Sequence, residues 1–323
     1  MRTHCGFPLI AYRKRSRKRG RFLFCKFRAC PLPVKCRRSA GKQQWITSFM
    51  TTPSATAATS SKSGFITIQS LIKKFGANTV LDDVSLSLGK GETMAIIGPS
   101  AAGKSVLLKC LVGLHGADGG KIMLGGDDVS QTNAPARKEW AERIGMLFQQ
   151  NALFDSMKVW ENICFRQIER GTMTRKEAKD HAVDLLGHVG LSEDSAFLSP
   201  GDLSGGMQKR VGIARAISTD PEILLLDNPT AGLDPVLSNH IELMISKIAT
   251  QRGTTVITIT NDMQIARTRY ANLVMMHAGK VYWSGPTNDI DDAHNEHLTQ
   301  MLNGSSQGPI TMRMDKRGDH MVA

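Results

Sequence analysis

The sequence predicts an α/β domain built around a parallel sheet, and three stretches support this class. Residues 92–98 (ETMAIIG) form a short apolar strand that runs straight into a glycine-rich loop, and the apolar run at 106–114 predicts a helix after it. Residues 221–227 (PEILLLD) are almost continuously apolar, which is typical of a parallel strand buried on both faces. Residues 158–200 carry helical patterns, with apolar residues on one face at Ala178, Val183, Leu185, Leu186 and Val189.

Shorter patterns complete the order of elements. Residues 65–71 alternate as a strand, and residues 80–88 form a second strand after a turn at 76–78. Residues 254–260 predict another strand, residues 272–286 a hairpin around Gly279, and residues 290–304 a short helix. We therefore divide the chain into a leader at 1–63, a domain at 64–287 with helices at about 151–220, and a C-terminal extension at 288–323.

The charge of the chain is concentrated at its start. The net charge is +12, yet residues 1–49 hold 14 Lys and Arg residues and no acidic residue. The remainder has 27 basic and 29 acidic residues, a balance of about −2. The domain itself thus gives no indication of a nucleic-acid partner. No apolar run approaches the ~18 residues of a membrane span, so a membrane role would require a partner.

The basic leader has three competing interpretations. It is rich in Arg and free of acidic residues, as targeting segments are; it could also be a basic arm, or it could lie upstream of a true start at Met50. In each case we expect residues 1–63 to be mostly disordered. Cys110 and Cys164 are isolated in the domain and are expected to be small buried hydrophobes. His181 and His188 lack a plausible ligand set, so we expect structural roles for both.

The loop at 98–105 (GPSAAGKS) fits the pattern GxxxxGK[ST] between a strand and a helix. Glycines let backbone N–H groups turn inward around phosphates, and the helix N-terminus favours an anion. Lys104 would reach the β- and γ-phosphates, and Ser105 would give a hydroxyl to Mg²⁺. The pattern predicts that ATP and Mg²⁺ bind at Gly98, Pro99, Ser100, Ala101, Ala102, Gly103, Lys104 and Ser105.

A second anion site is predicted at LSGGMQKR (203–210), which opens a helix that continues to about Ser218. Ser204, Gly205 and Gly206 expose N–H groups at the N-terminus of this helix. Asp227, at the end of the apolar strand, can hold Mg²⁺ through water. These motifs occur in an order that resembles the ATP-binding cassette (ABC) ATPases over about residues 64–287.

The resemblance implies a P-loop NTPase (RecA-like) core with an antiparallel β subdomain and an ABC-specific helical subdomain. It implies that Phe75 stacks on adenine and that Gln149, or its neighbour Gln150, touches Mg²⁺ and the attacking water. It places a D-loop at 231–234, with Asp234 near nucleotide. Because the LSGG turn of the family meets a nucleotide held by another subunit, it also implies a homodimer or a paired paralogue.

The stretches FQQNALFDSMKVWEN, LSGGMQKR and ITNDM are similar to those of the Mla-type phospholipid-transport ATPases. This resemblance implies ATP-driven phospholipid transport with a permease and a membrane-anchored lipid-binding protein. The permease would dock on an apolar patch at Asn151–Ile163. The protein would then work peripherally at the cytoplasmic face of an inner membrane, or at its organelle equivalent if residues 1–49 are a targeting segment.

Two residues depart from the family pattern. Asn228 replaces the glutamate associated with cleavage, and Asn261 replaces the switch histidine. An amide cannot act as a general base, and losing one typically costs ~10²–10⁴-fold in rate. We therefore predict strong ATP binding and slow hydrolysis with Asn228, Asn261, Gln149 and Lys104 at the reaction centre. The alternative is a non-transport ATP-binding switch or a hydrolysis-deficient regulatory subunit.

Overall fold

The computed structural model describes residues 64–310. The expectations for residues 1–63, and for residues 311–323 of the C-terminal extension, lie outside these described residues. Within 64–310, no helix combines the length and the apolar character needed to cross a bilayer.

The strands occur in two sheets. In chain order they are β1 (Ile66–Phe75), β2 (Asn78–Leu88), β3 (Thr93–Ile97), β4 (Gly119–Leu124), β5 (Asp127–Asp128), β6 (Ile144–Leu147), β7 (Ile223–Asp227), β8 (Thr255–Ile259), β9 (Asn272–His277) and β10 (Lys280–Pro286). The smaller sheet has the order β2-β1-β4-β5 and is antiparallel, and the larger has the order β10-β9-β3-β8-β7-β6. The predicted mixed α/β architecture with an antiparallel subdomain is confirmed.

The helices surround the larger sheet and form the region after β6. They are α1 (Lys104–Val112), α2 (Pro135–Arg143), α3 (Val159–Ile163), α4 (Phe165–Glu169), α5 (Arg175–His188), α6 (Gly205–Ile217), α7 (Pro235–Arg252), α8 (Met263–Arg269) and α9 (Glu296–Asn303). Short 3-10 turns occur at Glu193–Phe197, Pro200–Asp202 and Thr287–Asp289. Helices α3 to α6 lie within the stretch for which helices were predicted.

The core of the larger sheet is parallel and is covered on both faces. Strands β6, β7, β8, β3 and β9 pair in parallel, and β10 turns back antiparallel on β9. All five residues of β7 are buried, and the side chains of the four apolar ones alternate between two apolar clusters. Leu224 and Leu226 join the cluster beneath the α3–α6 helices, whereas Leu225 joins the cluster shared with the smaller sheet. A continuous apolar sequence is therefore what this strand position requires.

Helix α5 buries one face, as its periodicity indicates. Ala178, Leu185 and Leu186 are buried, and Val183 is only half-buried while Ala182 takes the buried position beside it. His181 contacts the Ser218 carbonyl at 3.0 Å from its Nε2. This contact ties α5 to the end of α6 and agrees with a structural role for His181.

The described part of the C-terminal extension packs on the domain. Ile290 and Leu298 are buried and join the same apolar cluster as Leu224 and Leu226 of β7. The Gln300 side chain bonds to the carbonyl oxygens of Ser305 and Ile310 at 3.1 and 3.0 Å. Residues 288–310 thus continue the domain core beyond 287.

Candidate active site

The glycine-rich loop joins β3 to α1 through backbone that has little room for side chains. Gly98 has φ 145°, and a Cβ at this position would collide with the Met276 carbonyl oxygen of β9. Gly103, with φ 93°, precedes the first residue of α1. The β9–β10 turn supports the loop from outside, because Gly279 N donates to the Ala102 carbonyl at 3.3 Å. This packing fixes the N–H groups at the start of α1.

The Lys104 side chain is held against this loop. Lys104 is buried, and its ammonium donates to the carbonyl oxygens of Gly98 at 2.6 Å and Pro99 at 2.8 Å. Burial lowers the pKa of Lys104, and the nearby Asp227 carboxylate opposes that effect. The loop thus holds a cation next to a buried carboxylate, and Ser105 follows as the second residue of α1. This arrangement suits a phosphate chain that carries a divalent cation.

Asp227 and Asn228 lie at the carboxyl end of β7. Asp227 is buried, and the Asn228 side chain donates from Nδ2 to Asp227 Oδ1 at 3.3 Å. Asn228 has φ 52°, a left-handed conformation that Asn adopts more readily than most residues. Its backbone N–H donates to the Ile259 carbonyl of β8 at 3.0 Å, so the adjacent strand fixes it in place.

Asn228 and Asn261 share one cleft. Asn261 is exposed just after β8, where Thr260 N donates to the Ile96 carbonyl at 3.2 Å. The cleft has a volume of about 760 Å³, and its walls come from the turn before α7, from the start of α7 and from α8. The residues that line it include Asn228, Thr230, Ala231, Asn261 and Asp262. Neither the glycine-rich loop nor Ser204–Gly206 lines this cleft.

Ser204 is the N-cap of α6, and its Oγ accepts from Met207 N at 3.3 Å. Gly205 is exposed and Gly206 half-buried, so the start of this helix is accessible. Lys209, one turn further on, is buried and donates to the Ala231 carbonyl of the predicted D-loop. No sequence pattern indicated this lysine, since its role depends on the packing of α6 against the 231–234 turn.

Asp234 caps α7. Its Oδ1 accepts from Val236 N and Leu237 N, both at 3.0 Å. The carboxylate therefore has a local structural role, which does not test its predicted position near nucleotide. The sequence pattern could have indicated this cap, because Asp before Pro235 at the first helical position is a common helix start.

Phe75 lies at the end of β1 in the smaller sheet. Its side chain is 45% exposed, and one edge meets the His115 ring with centroids 5.2 Å apart. Lys73 Nζ lies 5.3 Å from the Phe75 ring centroid and pairs with Asp118 Oδ2 at 3.0 Å. The ring is thus oriented by neighbours while much of it remains open, as a stacking platform must be.

Gln149 and Gln150 are both exposed and follow β6. Among residues 64–310, neither side chain makes a hydrogen bond that would orient it. The turn beyond them is well fixed, because Asn151 N donates to the Phe148 carbonyl at 2.9 Å. Further along, Phe154 is 43% exposed and contacts Phe165 in a tilted arrangement with centroids 4.9 Å apart, whereas Val159, Trp160 and Ile163 belong to the core. The exposed apolar part of the predicted patch is therefore its first half.

Comparisons with known proteins match this geometry. The ABC transporter family model matches residues 81–231. The "Probable ribonucleotide transport ATP-binding protein mkl" of Mycobacterium tuberculosis is 37% identical over 251 residues, which cover 78% of this chain and 70% of that protein. The chain belongs to the ABC transporter family. It is an ATP-binding subunit whose family couples ATP hydrolysis to transport, generally with Mg²⁺.

Other ABC relatives agree on the domain. The "Phosphonates import ATP-binding protein PhnC" of Frankia casuarinae is 36% identical, over 70% of this chain and 92% of its own length. The "Methionine import ATP-binding protein MetN 2" of Pseudomonas entomophila is 36% identical, over 68% of this chain and 65% of its own length. A solved dimer of the ATP-binding cassette MJ0796 with ADP and Pi has a TM-score of 0.65 and 29% identity, and it covers 69% of this chain and 98% of that chain.

The oxygen donors of this site are of the kind that binds Mg²⁺ together with ATP. Mg²⁺ is usually held by one or two protein oxygens together with substrate phosphates and water. The buried Asp227 carboxylate has no Lys or Arg partner in a salt bridge among the described residues, and the Ser105 hydroxyl lies at the start of α1. No group of three or more His, Cys, Asp and Glu side chains suited to a metal occurs in residues 64–310. Asp227 and Ser105 are the one or two protein oxygens that a nucleotide-bound Mg²⁺ requires.

Proposed function

We propose that this ABC subunit binds ATP tightly, hydrolyses it slowly and drives phospholipid transport. The observation that carries the slow step is the cleft that Asn228 and Asn261 both line, with the Asn228 amide hydrogen-bonded to Asp227. The observation that supports the phospholipid substrate is the sequence resemblance of residues 148–162, 203–210 and 259–263 to Mla-type ATPases.

In this proposal the loop at 98–105 binds the triphosphate. Lys104 exchanges its bonds to the Gly98 and Pro99 carbonyls for phosphate oxygens, and Phe75 stacks on the base. Ser105, Gln149 and Asp227 would hold Mg²⁺, which neutralises charge that develops on the phosphates during transfer. All of these residues are present, so binding retains its full set of groups.

Hydrolysis is the step that the substitutions weaken. The Asn228 amide donates to Asp227 and cannot take a proton from water. Asn261 can bond to phosphate or water but carries no positive charge. The loss of a positioned base typically costs ~10²–10⁴-fold in rate, so the ATP-bound closed state should be long-lived.

Closure in the proposal requires two protomers. The accessible N-terminus of α6 at Ser204–Gly206 would meet the γ-phosphate held by the other subunit, with Asp234 nearby. The dimeric state of MJ0796 supports this pairing. The partner can be a second copy or a paralogue that has kept the glutamate.

The permease would dock at the first half of Asn151–Ile163, where Phe154 is exposed and contacts the half-buried ring of Phe165. Relatives at 35–37% identity are named for ribonucleotides, phosphonates and methionine. Relatives that are equally similar to this chain in sequence are thus named for unrelated substrates. Sequence similarity of the domain therefore does not identify the substrate. The proposal adds a membrane-anchored lipid-binding protein and a peripheral position on the cytoplasmic or equivalent organelle face.

Two measurements test the proposal. The first is single-turnover ATP hydrolysis by the wild type and by Asn228→Glu, with nucleotide affinity measured in parallel. We expect the variant to be at least ~10²-fold faster with similar affinity, since it regains a positioned base. A wild-type rate near that of ordinary ABC ATPases would refute slow hydrolysis.

The second is affinity purification from native membranes, with mass spectrometry of co-purified proteins and lipids. We expect a polytopic permease and enriched phospholipid, and both should be lost in Phe154→Asp. A permease without phospholipid would refute the substrate, and a dimer without any permease would favour the non-transport switch.

A further inference from the structure

Arg215 is a cation that the proposed chemistry does not use. It lies on α6, eleven residues after Ser204, and it is half-buried. Its Nη1 donates to the Ala152 carbonyl at 2.7 Å and its Nη2 to the Asn151 carbonyl at 2.9 Å. Burial lowers the pKa of Arg215, and the nearby Arg166 cation adds to this effect. The guanidinium therefore forms a two-pronged link from α6 to the chain just after Gln149 and Gln150.

The segment that Arg215 holds has a strained backbone. Asn151 has φ 60° and Ala152 has φ 49°, so two consecutive residues are left-handed. The left-handed region is unfavourable for residues with a Cβ, and Ala tolerates it less well than Asn does. Within residues 64–310 the Asn151 Oδ1 atom is buried and has no hydrogen-bond partner. Backbone hydrogen bonds from Asn151 N to the Phe148 carbonyl and from Ala152 N to the Gln150 carbonyl hold the turn from within, and Arg215 adds two hydrogen bonds from outside it.

Helix α6 also lies unusually close to this segment. A Cβ at Gly212 would come within 2.7 Å of Leu147 Cδ1 and 3.7 Å of Asn151 Cβ. Gly212 is three residues before Arg215, and residues at this spacing lie on the same face of a helix. One face of α6 thus packs on the end of β6 and bonds to the turn that follows it.

We propose that Arg215 is a positioning residue that fixes Gln149 relative to the LSGG end of α6 by holding the Asn151 and Ala152 carbonyls. The inference rests on the proposed role of Gln149 at Mg²⁺ and water. Ala152 also begins the exposed patch that ends in Phe154. A partner that binds and displaces this patch would therefore shift Gln149 relative to α6 through the same two hydrogen bonds. Nucleotide affinity depends mainly on the loop at 98–105 and on Phe75, so loss of this link should change the hydrolysis rate more than the affinity.

Arg166 provides a matched control. It is also half-buried, and its Nη1 donates to two backbone carbonyls, those of Ala141 at 3.1 Å and Ile144 at 3.0 Å. These acceptors belong to the end of α2 and the start of β6, away from the turn at 151–152. Burial lowers the pKa of Arg166 too, so the two side chains differ mainly in what they hold.

The test compares R215Q, R215K, R166Q, Q149A and the double variant Q149A/R215Q in the full chain. Single-turnover ATP hydrolysis, affinity for a fluorescent ATP analogue and melting temperature are measured for each. We expect R215Q to lower the hydrolysis rate at least 10-fold with nucleotide affinity within 3-fold of wild type. R215K should recover part of the rate, because an ammonium can keep one of the two hydrogen bonds. R166Q should lower the melting temperature similarly while changing the rate less than 3-fold.

The double variant decides whether Arg215 acts through Gln149. We expect Q149A/R215Q to be no slower than Q149A alone, and multiplied effects would overturn the inference. If Q149A is slow and R215Q keeps the wild-type rate, the inference fails and the role of Gln149 stands. If Q149A itself keeps the wild-type rate, the role of Gln149 fails and the inference fails with it. Where R215Q does not fold, R215K carries the same comparison.

Discussion

Glu242 should make the stability of this domain fall as pH rises. Its side chain on α7 is 1% exposed, and Oε2 accepts from the Tyr270 hydroxyl at 2.9 Å. The other oxygen, Oε1, has no hydrogen-bond partner within residues 64–310. Burial raises the pKa of Glu242 from 4.5 to about 7, against the opposing effect of the Tyr270 hydrogen bond. The carboxyl group therefore keeps its proton in the folded state well above the pH at which it ionises in the unfolded chain.

The sign and size of the effect follow from proton linkage. Below pH 4.5 both states carry the proton, and above about pH 7 neither does. Between these values only the folded state is protonated, so unfolding releases a proton and the free energy of unfolding decreases as pH rises. One pH unit corresponds to about 1.4 kcal/mol, so the difference between 4.5 and about 7 amounts to about 3 kcal/mol. This is a measurable share of a total stability of about 5–15 kcal/mol.

The assay is equilibrium urea unfolding of the wild type and Glu242→Gln, followed by tryptophan fluorescence from pH 5 to pH 8. Gln keeps the shape and the acceptor for Tyr270 but does not titrate. The stability of the wild type relative to Glu242→Gln should therefore fall across the range by most of this amount, about 2–3 kcal/mol, since ionisation in the unfolded chain has already begun at pH 5. Glu177→Gln is the control, because hydrogen bonds from Thr174 lower the pKa of Glu177, and its contribution is lost only as pH falls below 4.5. A difference between the wild type and Glu242→Gln that stays flat with pH would refute the reasoning.

Three further predictions follow from other contacts. Asn228→Glu places a second carboxylate beside Asp227 and removes a hydrogen bond to it. Mg²⁺ should therefore raise the melting temperature of this variant more than that of the wild type, which thermal scans with and without MgCl₂ would measure. Phe75→Ala should weaken ATP binding about 2- to 10-fold, since aromatic stacking contributes about 0.5–1.5 kcal/mol, whereas Phe75→Trp should retain the affinity in the same fluorescence titration. Burial raises the pKa of the Cys110 and Cys164 thiols to about 11; peptide mass spectrometry after iodoacetamide at pH 8 should therefore find both unmodified in native protein and modified in urea.

The sequence predicted best those elements whose apolar pattern matches their final burial. Strands β3 and β7 and the β9–β10 hairpin are of this kind, because nearly every residue of β3 and β7 is buried. Helix α2 shows the opposite case, since its buried side chains are Arg137 and Trp140. Arg137 donates to the carbonyl oxygens of Leu111 at 2.6 Å and Cys110 at 3.1 Å. A helix that is held by a buried cation leaves no apolar stripe in the sequence.

The same distinction applies to the site. The loop at 98–105 is recognisable because phosphate binding demands glycines and a lysine at fixed spacing. Lys209, Arg215 and Glu242 carry no such spacing, and their partners Ala231, Asn151–Ala152 and Tyr270 are supplied by other elements of the fold. Two of these partner sets are backbone carbonyls, which any residue type provides. No sequence pattern can therefore identify the contact before the chain is folded.

In the proposed function, binding and hydrolysis depend on different parts of this structure, and the departures from the family pattern fall on the hydrolysis side only. The loop between β3 and α1 keeps Lys104 and Ser105, and Asp227 remains at the end of β7. The two amides lie together in the cleft beside the turn that precedes α7. If the departures were scattered at random, a loss in the loop would be as expected as a loss in the cleft. Their concentration at Asn228 and Asn261 is what we expect if a longer-lived ATP-bound state is the property that these two positions set.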